Sequence, residues 1–174
     1  MGLLRRKITS FELKGLVPIA LLSLSAVLLA ACSGDPTPPR ELLLGPEDFP
    51  GQAVTETGRE TGETSLDEPA VQVELSGPNF ILLESLVLFQ AENLARTILS
   101  GIKQDQAAQG VTPLRVEGFE DNTGVIDDHL RGADASTLFF VQGRALVRIT
   151  LTGAGRTEMV WEIAALAREI ARKQ

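Results

Sequence analysis

The sequence predicts an α+β fold in which a mainly antiparallel β-sheet is packed by two amphipathic helices. Short apolar or alternating segments, which are typical of strands, precede each of two segments with helical spacing. The second group of strands contains a glycine-marked hairpin, and a hairpin requires antiparallel pairing. The chain has 174 residues, of which 44% are apolar. This length allows one modest domain with one core and excludes a multidomain protein.

The first half of the domain is predicted to contain two strands and a helix, with room for an edge strand before them. Ala53 to Thr57 indicate an edge strand, and Val71 to Leu75 alternate as a strand with one solvated face does. Phe80 to Gln90 is apolar on both alternating sets except at Glu84, Ser85 and Gln90, which favours a central strand covered on both sides. A helix follows and ends before Gly110. Its apolar stripe is interpreted as packing on the sheet rather than as a partner groove, and consists of Ala91, Leu94, Ala95, Ile98 and Ile102.

The second half is predicted to be an irregular segment or a strand, then a hairpin and a helix. Ser136 to Leu151 predicts two strands that flank a Gln142-Gly143 turn. One face of the second strand is apolar, and the other, with Arg144, Leu146, Arg148 and Thr150, is expected to be half solvated. Thr157 to Lys173 predicts a helix whose acidic start and basic end complement the helix dipole. Its broad apolar face should lie across the sheet and comprises Met159, Val160, Ile163, Ala164, Leu166, Ala167, Ile170 and Ala171.

The N-terminus has the composition of a secretory signal. Four basic residues and one acidic residue lie within residues 1–14, and an uncharged apolar run from Gly15 to Ala31 follows. The run is shorter than the ~20 residues that a membrane-spanning helix needs. It ends in Leu29-Ala30-Ala31-Cys32, after which the chain becomes polar and proline-rich.

Leu29-Ala30-Ala31-Cys32 resembles the lipobox of bacterial lipoproteins. The resemblance implies that signal peptidase recognises Leu29, Ala30 and Ala31, removes residues 1–31 as the signal peptide, and leaves Cys32 as the lipidated first residue. It implies a diacylglyceryl group with acyl chains such as palmitate on Cys32, and a location on the extracytoplasmic side of the cell membrane or outer membrane. Two other interpretations stay open: an uncleaved anchor helix, and ordinary cleavage near Ala31.

The charge of the chain argues against nucleic acid as a partner. The whole chain has a formal charge of -7, and no Lys/Arg-rich block lies beyond residue 14. Loss of residues 1–31 removes four basic residues and one acidic residue, which leaves 12 Lys+Arg against 22 Asp+Glu, net -10. Anionic headgroups repel such a surface. Attachment is therefore expected from acyl chains, at ~0.8 kcal/mol per buried CH₂.

Residues 32–40 are predicted to be the lipidated N-terminus and the start of an acidic, proline-rich tether. In one interpretation the tether extends to residue 70 and, as a flexible coil, spans ~34 Å, which lets the domain stand clear of the lipid. However, Glu41-Leu42-Leu43-Leu44 and Phe49 are too apolar for a pure spacer. The single domain is therefore assigned to residues 41–174.

The order β-β-α-(irregular or β)-β-β-α is similar to that of extracytoplasmic domains of lipoproteins and sensor kinases grouped with the PsbP/Mog1-like fold. An apolar strand that leads into a helix at Ala91 and a terminal hairpin followed by a helix carry this resemblance, which covers about residues 41–173. It implies a noncatalytic accessory, sensory or ligand-binding module. This expectation is an analogy of fold.

No catalytic residue, cofactor or metal ligand is predicted. His129 follows two aspartates, a pattern that suggests acid–base chemistry or a metal. However, the sequence has no second His, and its only Cys is in the lipobox, so the usual first-row metal ligands are missing. His129 is therefore interpreted as part of a solvated loop or strand end.

Two charged groups receive the same structural interpretation. Six carboxylates cluster in a short segment that is read as a solvated acidic edge: Glu117, Glu120, Asp121, Asp127, Asp128 and Asp134. Asp121-Asn122-Thr123-Gly124 resembles half of a calcium loop but lacks its spacing and closing Glu. Arg144 and Arg148 could hold an anion if both point outward from one strand face.

The sequence thus predicts a noncatalytic, lipid-anchored extracytoplasmic domain. Its partners are the membrane, through diacylglyceryl-Cys32, and an envelope protein or small-molecule ligand. The alternatives are a structural envelope protein and an envelope hydrolase that uses the acidic segment around His129.

Overall fold

A computed structural model describes residues 37–115, 122–130 and 133–174. Six antiparallel strands form one sheet in the order β1-β2-β3-β6-β5-β4. The strands are β1 (Thr55–Glu63), β2 (Pro69–Ser76), β3 (Phe80–Leu88), β4 (Ile126–Leu130), β5 (Ala133–Gln142) and β6 (Ala145–Gly153). Helix α1 (Glu92–Ala108) follows β3, and α2 (Arg156–Ala171) follows β6. The predicted α+β class is confirmed, with one more strand in each half than the shortest prediction required.

The two faces of the sheet are covered to different extents. We call the face that contains Val73, Glu84 and Ile149, which lie side by side on β2, β3 and β6, the closed face. Helix α2 and the chain before β1 pack on it. The opposite face contains Ser85, Arg148 and Phe139. We call it the half-open face, because α1 packs mainly over β5 and β6, with only Ala70 of β2 and Val87 of β3 in the same cluster.

Helix α2 forms the main layer on the closed face, as its sequence pattern predicted. Gly155, in the left-handed conformation (φ 69°), turns the chain from β6 into the helix. Ala164 and Ala167 are fully buried, and their small side chains allow the helix backbone to approach the sheet. Leu82, Ile149 and Leu151 are buried beneath this layer, where they form the main core.

The hairpin differs from its prediction by one residue. The turn is Gly143-Arg144 rather than Gln142-Gly143, because Gly143 adopts a positive φ of 53° at the first turn position. Arg144 is therefore a turn residue and does not share a strand face with Arg148. The prediction of a half-solvated second face is also wrong in part, since Leu146 and Thr150 are buried.

Helix α1 is a narrower cover than its apolar stripe suggested. Ala95 and Leu99 are buried against the half-open face, whereas Leu94 is 43% exposed. Beyond the reach of α1, Ile81 on β3 is 49% exposed. Strand β3 is therefore central, but one end of it is covered on the closed face only.

The sheet has two distinct ends. Leu88, the Gly143-Arg144 turn and the last residues of α2 lie at one end, which we call the tether end. Phe80, the start of α2 and the turn between β2 and β3 lie at the other, the far end. Neither helix of the described residues has the length and apolar composition needed to cross a bilayer.

Candidate functional site

The chain that precedes β1 is built into the fold. Residues 39–49, here called the docked segment, contain two 3₁₀ turns, Pro39–Leu42 and Pro46–Asp48. Leu42 and Leu44 are fully buried against the closed face. The interpretation in which a spacer continues to residue 70 does not hold, because this segment is packed and β1 pairs with β2 along its length. The edge strand is also longer than predicted.

The docked segment crosses the closed face from the tether end to the far end. Two residues before it, the Thr37 hydroxyl donates a hydrogen bond to the carbonyl oxygen of Lys173, at 2.6 Å. At its end, the ring of Phe49 lies 5.9 Å from the ring of Phe80, between centroids. The chain therefore enters the fold beside the C-terminal end of α2.

A buried carboxyl lies beneath this segment. Glu84, in the middle of β3, is completely buried, and its Oε2 accepts a hydrogen bond from the Leu44 backbone N–H at 2.8 Å. Its Oε1 has no hydrogen-bond partner among the described residues. Burial raises the pKa of Glu84 to about 8, against the opposing effects of the Leu44 hydrogen bond and the charge of Arg59. At neutral pH the carboxyl is therefore mainly protonated, and it links sheet and docked segment without a buried charge.

Arg59 on β1 holds the same segment from the side. Its guanidinium donates hydrogen bonds to the carbonyl oxygens of Arg40 (2.9 Å) and Leu44 (3.4 Å). It also forms an ion pair with Glu56 at 2.8 Å, and this hydrogen bond lowers the pKa of Glu56. Leu44 is thus held through both its N–H and its carbonyl, by side chains from two different strands.

A shallow groove lies at the far end, between the docked segment and α2. Its volume is about 270 Å³, and it is lined by Asp48, Phe49, Pro50, Gln52, Phe80, Met159, Glu162, Ile163 and Leu166. Of the lining residues, Phe49, Phe80 and Ile163 are buried, whereas Asp48 is half-buried and Glu162 is exposed. Pockets for drug-sized ligands usually measure ~300–1,000 Å³. The groove is therefore sized for one side chain of a partner or for a small ligand.

Cys32, predicted to be lipidated, and Leu29, Ala30 and Ala31, predicted for signal peptidase recognition, lie outside the described residues. His129 is on the edge strand β4, where its register partner on β5 is Asp134. The exposed Asp127 carboxylate lies 4.0 Å from the Arg156 guanidinium. Within residues 37–115, 122–130 and 133–174, no three His, Cys, Asp or Glu side chains are grouped as metal ligands would be.

The other candidate groups have local structural contacts. The Asn122 side chain accepts a hydrogen bond from the Gly124 backbone N–H, and the Thr123 hydroxyl accepts one from the Phe139 N–H. Arg148 lies over the Phe139 ring at 5.5 Å and donates to the Thr150 hydroxyl at 3.1 Å. Glu117, Glu120 and Asp121 lie outside the described residues. Trp161 packs against the main core.

Sequence reasoning missed the roles of Glu84 and Arg59. A signal existed for Glu84, since it is the only charged residue from Phe80 to Gln90. A carboxyl in a strand covered on both faces must be buried, and burial favours its neutral form. No comparable signal marks Arg59, because its contacts with Arg40 and Leu44 depend on where the docked segment crosses β1.

The comparisons with known proteins inform on the fold. No protein-family model matches the chain, and no curated protein matches it significantly. The chain is similar to the crystal structure of the extracellular domain of PknH from Mycobacterium tuberculosis, with a TM-score of 0.54 and 14% sequence identity. The match covers 76% of this chain and 94% of that domain. The fold is therefore shared with an extracellular domain.

Proposed function

We propose that this protein is a lipid-anchored, extracytoplasmic, noncatalytic lipoprotein whose domain binds a protein partner or a small ligand. The lipobox-like Leu29-Ala30-Ala31-Cys32 supports the anchor. The fold shared with an extracellular domain supports the side of the membrane. The groove between Phe49 and α2 supports binding, because its lining combines apolar side chains with the carboxylates of Asp48 and Glu162.

One observation carries the proposal above the others: the fold begins almost directly after Cys32. Four residues, Ser33 to Pro36, separate Cys32 from Thr37, whose hydroxyl is already bonded to Lys173. Beyond Thr37 the chain is fixed through Leu42, Leu44 and the hydrogen bond to Glu84. Acyl chains on Cys32 would thus be connected to the core of the domain through a short link, which suits a protein that acts at the membrane surface.

The anchor is tested with Cys32→Ala in the full chain. The wild type extracted from membranes should have the intact mass of residues 32–174 plus a diacylglyceryl group or further acyl chains. Cys32→Ala should accumulate as the unprocessed precursor, because the thiolate that accepts the diacylglyceryl group is gone. Ser33→Ala is the matched control and should be processed as the wild type is. A Cys32→Ala protein that is normally processed and held in the membrane would refute the proposal.

A further inference from the structure

We infer that the domain rests with its tether end on the anionic headgroup surface of the membrane that holds its acyl chains. The inference rests on the proposed lipid anchor at Cys32. It adds an orientation and an interaction surface, formed by the Gly143-Arg144 turn, the C-terminal end of α2, and the exposed side chains of Leu66 and Leu94.

The first argument is the reach of the chain. From Cys32 to Thr37 an extended chain spans at most about 18 Å between Cα atoms. Thr37 is bonded to Lys173 at the tether end, and the chain then runs away from this end across the closed face. Lengthening the link would require Leu42 and Leu44 to leave the core. The tether end is therefore the part of the domain that acyl chains on Cys32 would hold nearest the lipid.

The second argument is charge. Arg144, Arg172 and Lys173 cluster at this end, where the Gln174 side chain accepts a hydrogen bond from the Arg144 backbone N–H. Arg172 forms an exposed ion pair with Glu169 at 2.7 Å. Exposed acidic residues also lie at this end: Glu63 and Asp67 where β1 turns into β2, and Glu92 at the start of α1, where it is paired with Arg96; Glu68 is buried. The basic corner is therefore formed by the Gly143-Arg144 turn and the end of α2, and an anionic surface attracts this corner and repels the acidic remainder of the mature chain.

The third argument is exposed apolar surface. Leu66, which is 62% exposed, and Leu94 are two of the four large apolar side chains exposed within the described residues, and both lie at the tether end. Glu68, in the loop of Leu66, lies close to the backbone of Gln90, which precedes the start of α1. Exposed apolar side chains at the end of the domain nearest the lipid favour the boundary between headgroups and acyl chains.

Tryptophan fluorescence tests the orientation in the full lipidated chain with Trp161→Phe as background. The protein is reconstituted into vesicles of phosphatidylcholine and phosphatidylglycerol with brominated acyl chains. Leu66→Trp should be blue-shifted and strongly quenched. Ile81→Trp is the matched control, since Ile81 is similarly exposed but lies at the far end, and it should remain unquenched. Equal quenching of the two, or none at position 66 in the folded variant, would overturn the inference.

The charge argument is tested by Lys173→Gln in the Leu66→Trp protein. Loss of one basic residue near an anionic surface should lower the equilibrium constant for contact between the tether end and the headgroups by about fivefold. This change corresponds to ~1 kcal/mol. The loss should vanish in vesicles of phosphatidylcholine alone. Lys103→Gln, toward the opposite end of α1, should change nothing. An equal effect of the two substitutions would contradict the charge argument.

Intact mass separates the two proposals. If Cys32 is unmodified, the proposed anchor fails and the orientation fails with it. If Cys32 is acylated but Leu66→Trp is no more quenched than Ile81→Trp, the anchor stands and the orientation is wrong.

Discussion

The two faces of the sheet use the same strands and differ in what covers them. On the closed face, α2 and the docked segment cover the centre of the sheet. Val73, Glu84 and Ile149, which are neighbours on β2, β3 and β6, are all completely buried there. On the half-open face, α1 covers a smaller apolar cluster around Leu99 and Leu146. Outside that cluster Gln72 and Ser85 form a hydrogen-bonded pair, at 3.1 Å. Coverage by helices, rather than strand composition, separates the two environments.

The difference in coverage between the two faces changes the environment of the charged residues. Glu84 on the closed face is excluded from water, so its pKa is raised and its neutral form is favoured. Arg148 on the half-open face is only partly buried and keeps its guanidinium over an aromatic ring. Two neighbouring strands thus hold a neutral acid and a charged base on opposite faces.

The largest expected effect comes from consecutive phenylalanines on opposite faces. Phe140 is fully buried in the main core, so Phe140→Ala should lower the free energy of unfolding by about 3–5 kcal/mol. Phe139→Ala should cost clearly less, because Phe139 is half-buried beside Arg148. Urea unfolding measures both. Equal losses would mean that the two faces are equally well packed, which contradicts the comparison.

The neighbouring residues Glu84 and Ser85 lie on opposite faces, and only Glu84 should make the free energy of unfolding depend on pH. Between the ordinary carboxyl pKa of 4.5 and about 8, the folded protein keeps a proton on Glu84 that the unfolded chain releases. This group therefore makes the free energy of unfolding fall as pH rises, by at most about 1.4 kcal/mol per pH unit, until pH 8 is passed.

Glu84→Gln keeps an acceptor for the Leu44 N–H and should remove this slope in urea unfolding curves recorded across that pH range. Ser85→Ala loses the hydrogen bond to Gln72, at about 1 kcal/mol, and should retain the wild-type slope. A Glu84→Gln protein with the slope of the wild type would show that Glu84 is ionised in the folded protein.

The smallest expected effect concerns two arginines, Arg59 on the closed face and Arg148 on the half-open face. Arg59→Gln loses the hydrogen bonds to the Arg40 and Leu44 carbonyls and should cost about 1–2 kcal/mol, since Arg59 is partly exposed. It should also speed hydrogen exchange of the Leu44 amide. Arg148→Gln should leave that exchange unchanged. Faster exchange of the Leu44 amide in both variants would mean that opening of the docked segment follows the stability of the whole sheet. It would then not depend specifically on the contacts with Arg59.

Much of the fold could be predicted from local patterns. The central strand at Phe80, the hairpin after Ser136 and the final helix are each specified by apolar spacing within a few turns or strand residues. The predictions failed where the spacing of apolar residues does not determine which side chains are covered or which residues form a turn. Leu94 fits the stripe of α1 but is exposed, and the hairpin turn is one residue later than expected, because a positive φ suits Gly143 and not Gln142.

The candidate site was only partly predictable for the same reason. The lipobox-like residues are contiguous, so the sequence contains the whole prediction of the anchor at Cys32. The docked segment, Glu84 and Arg59 come together from three distant parts of the chain.

The sequence by itself determined the class of fold, the central strand, the hairpin and the two helices, and the expectation of an anchored N-terminus, because each depends on neighbouring residues. Only the tertiary structure decided that residues 39–49 cross the closed face, that Glu84 is buried beneath Leu44, and that Thr37 meets Lys173. These three facts depend on which surfaces meet when the chain folds. The burial of a side chain, its hydrogen bonds and the pKa that results all depend on these tertiary contacts.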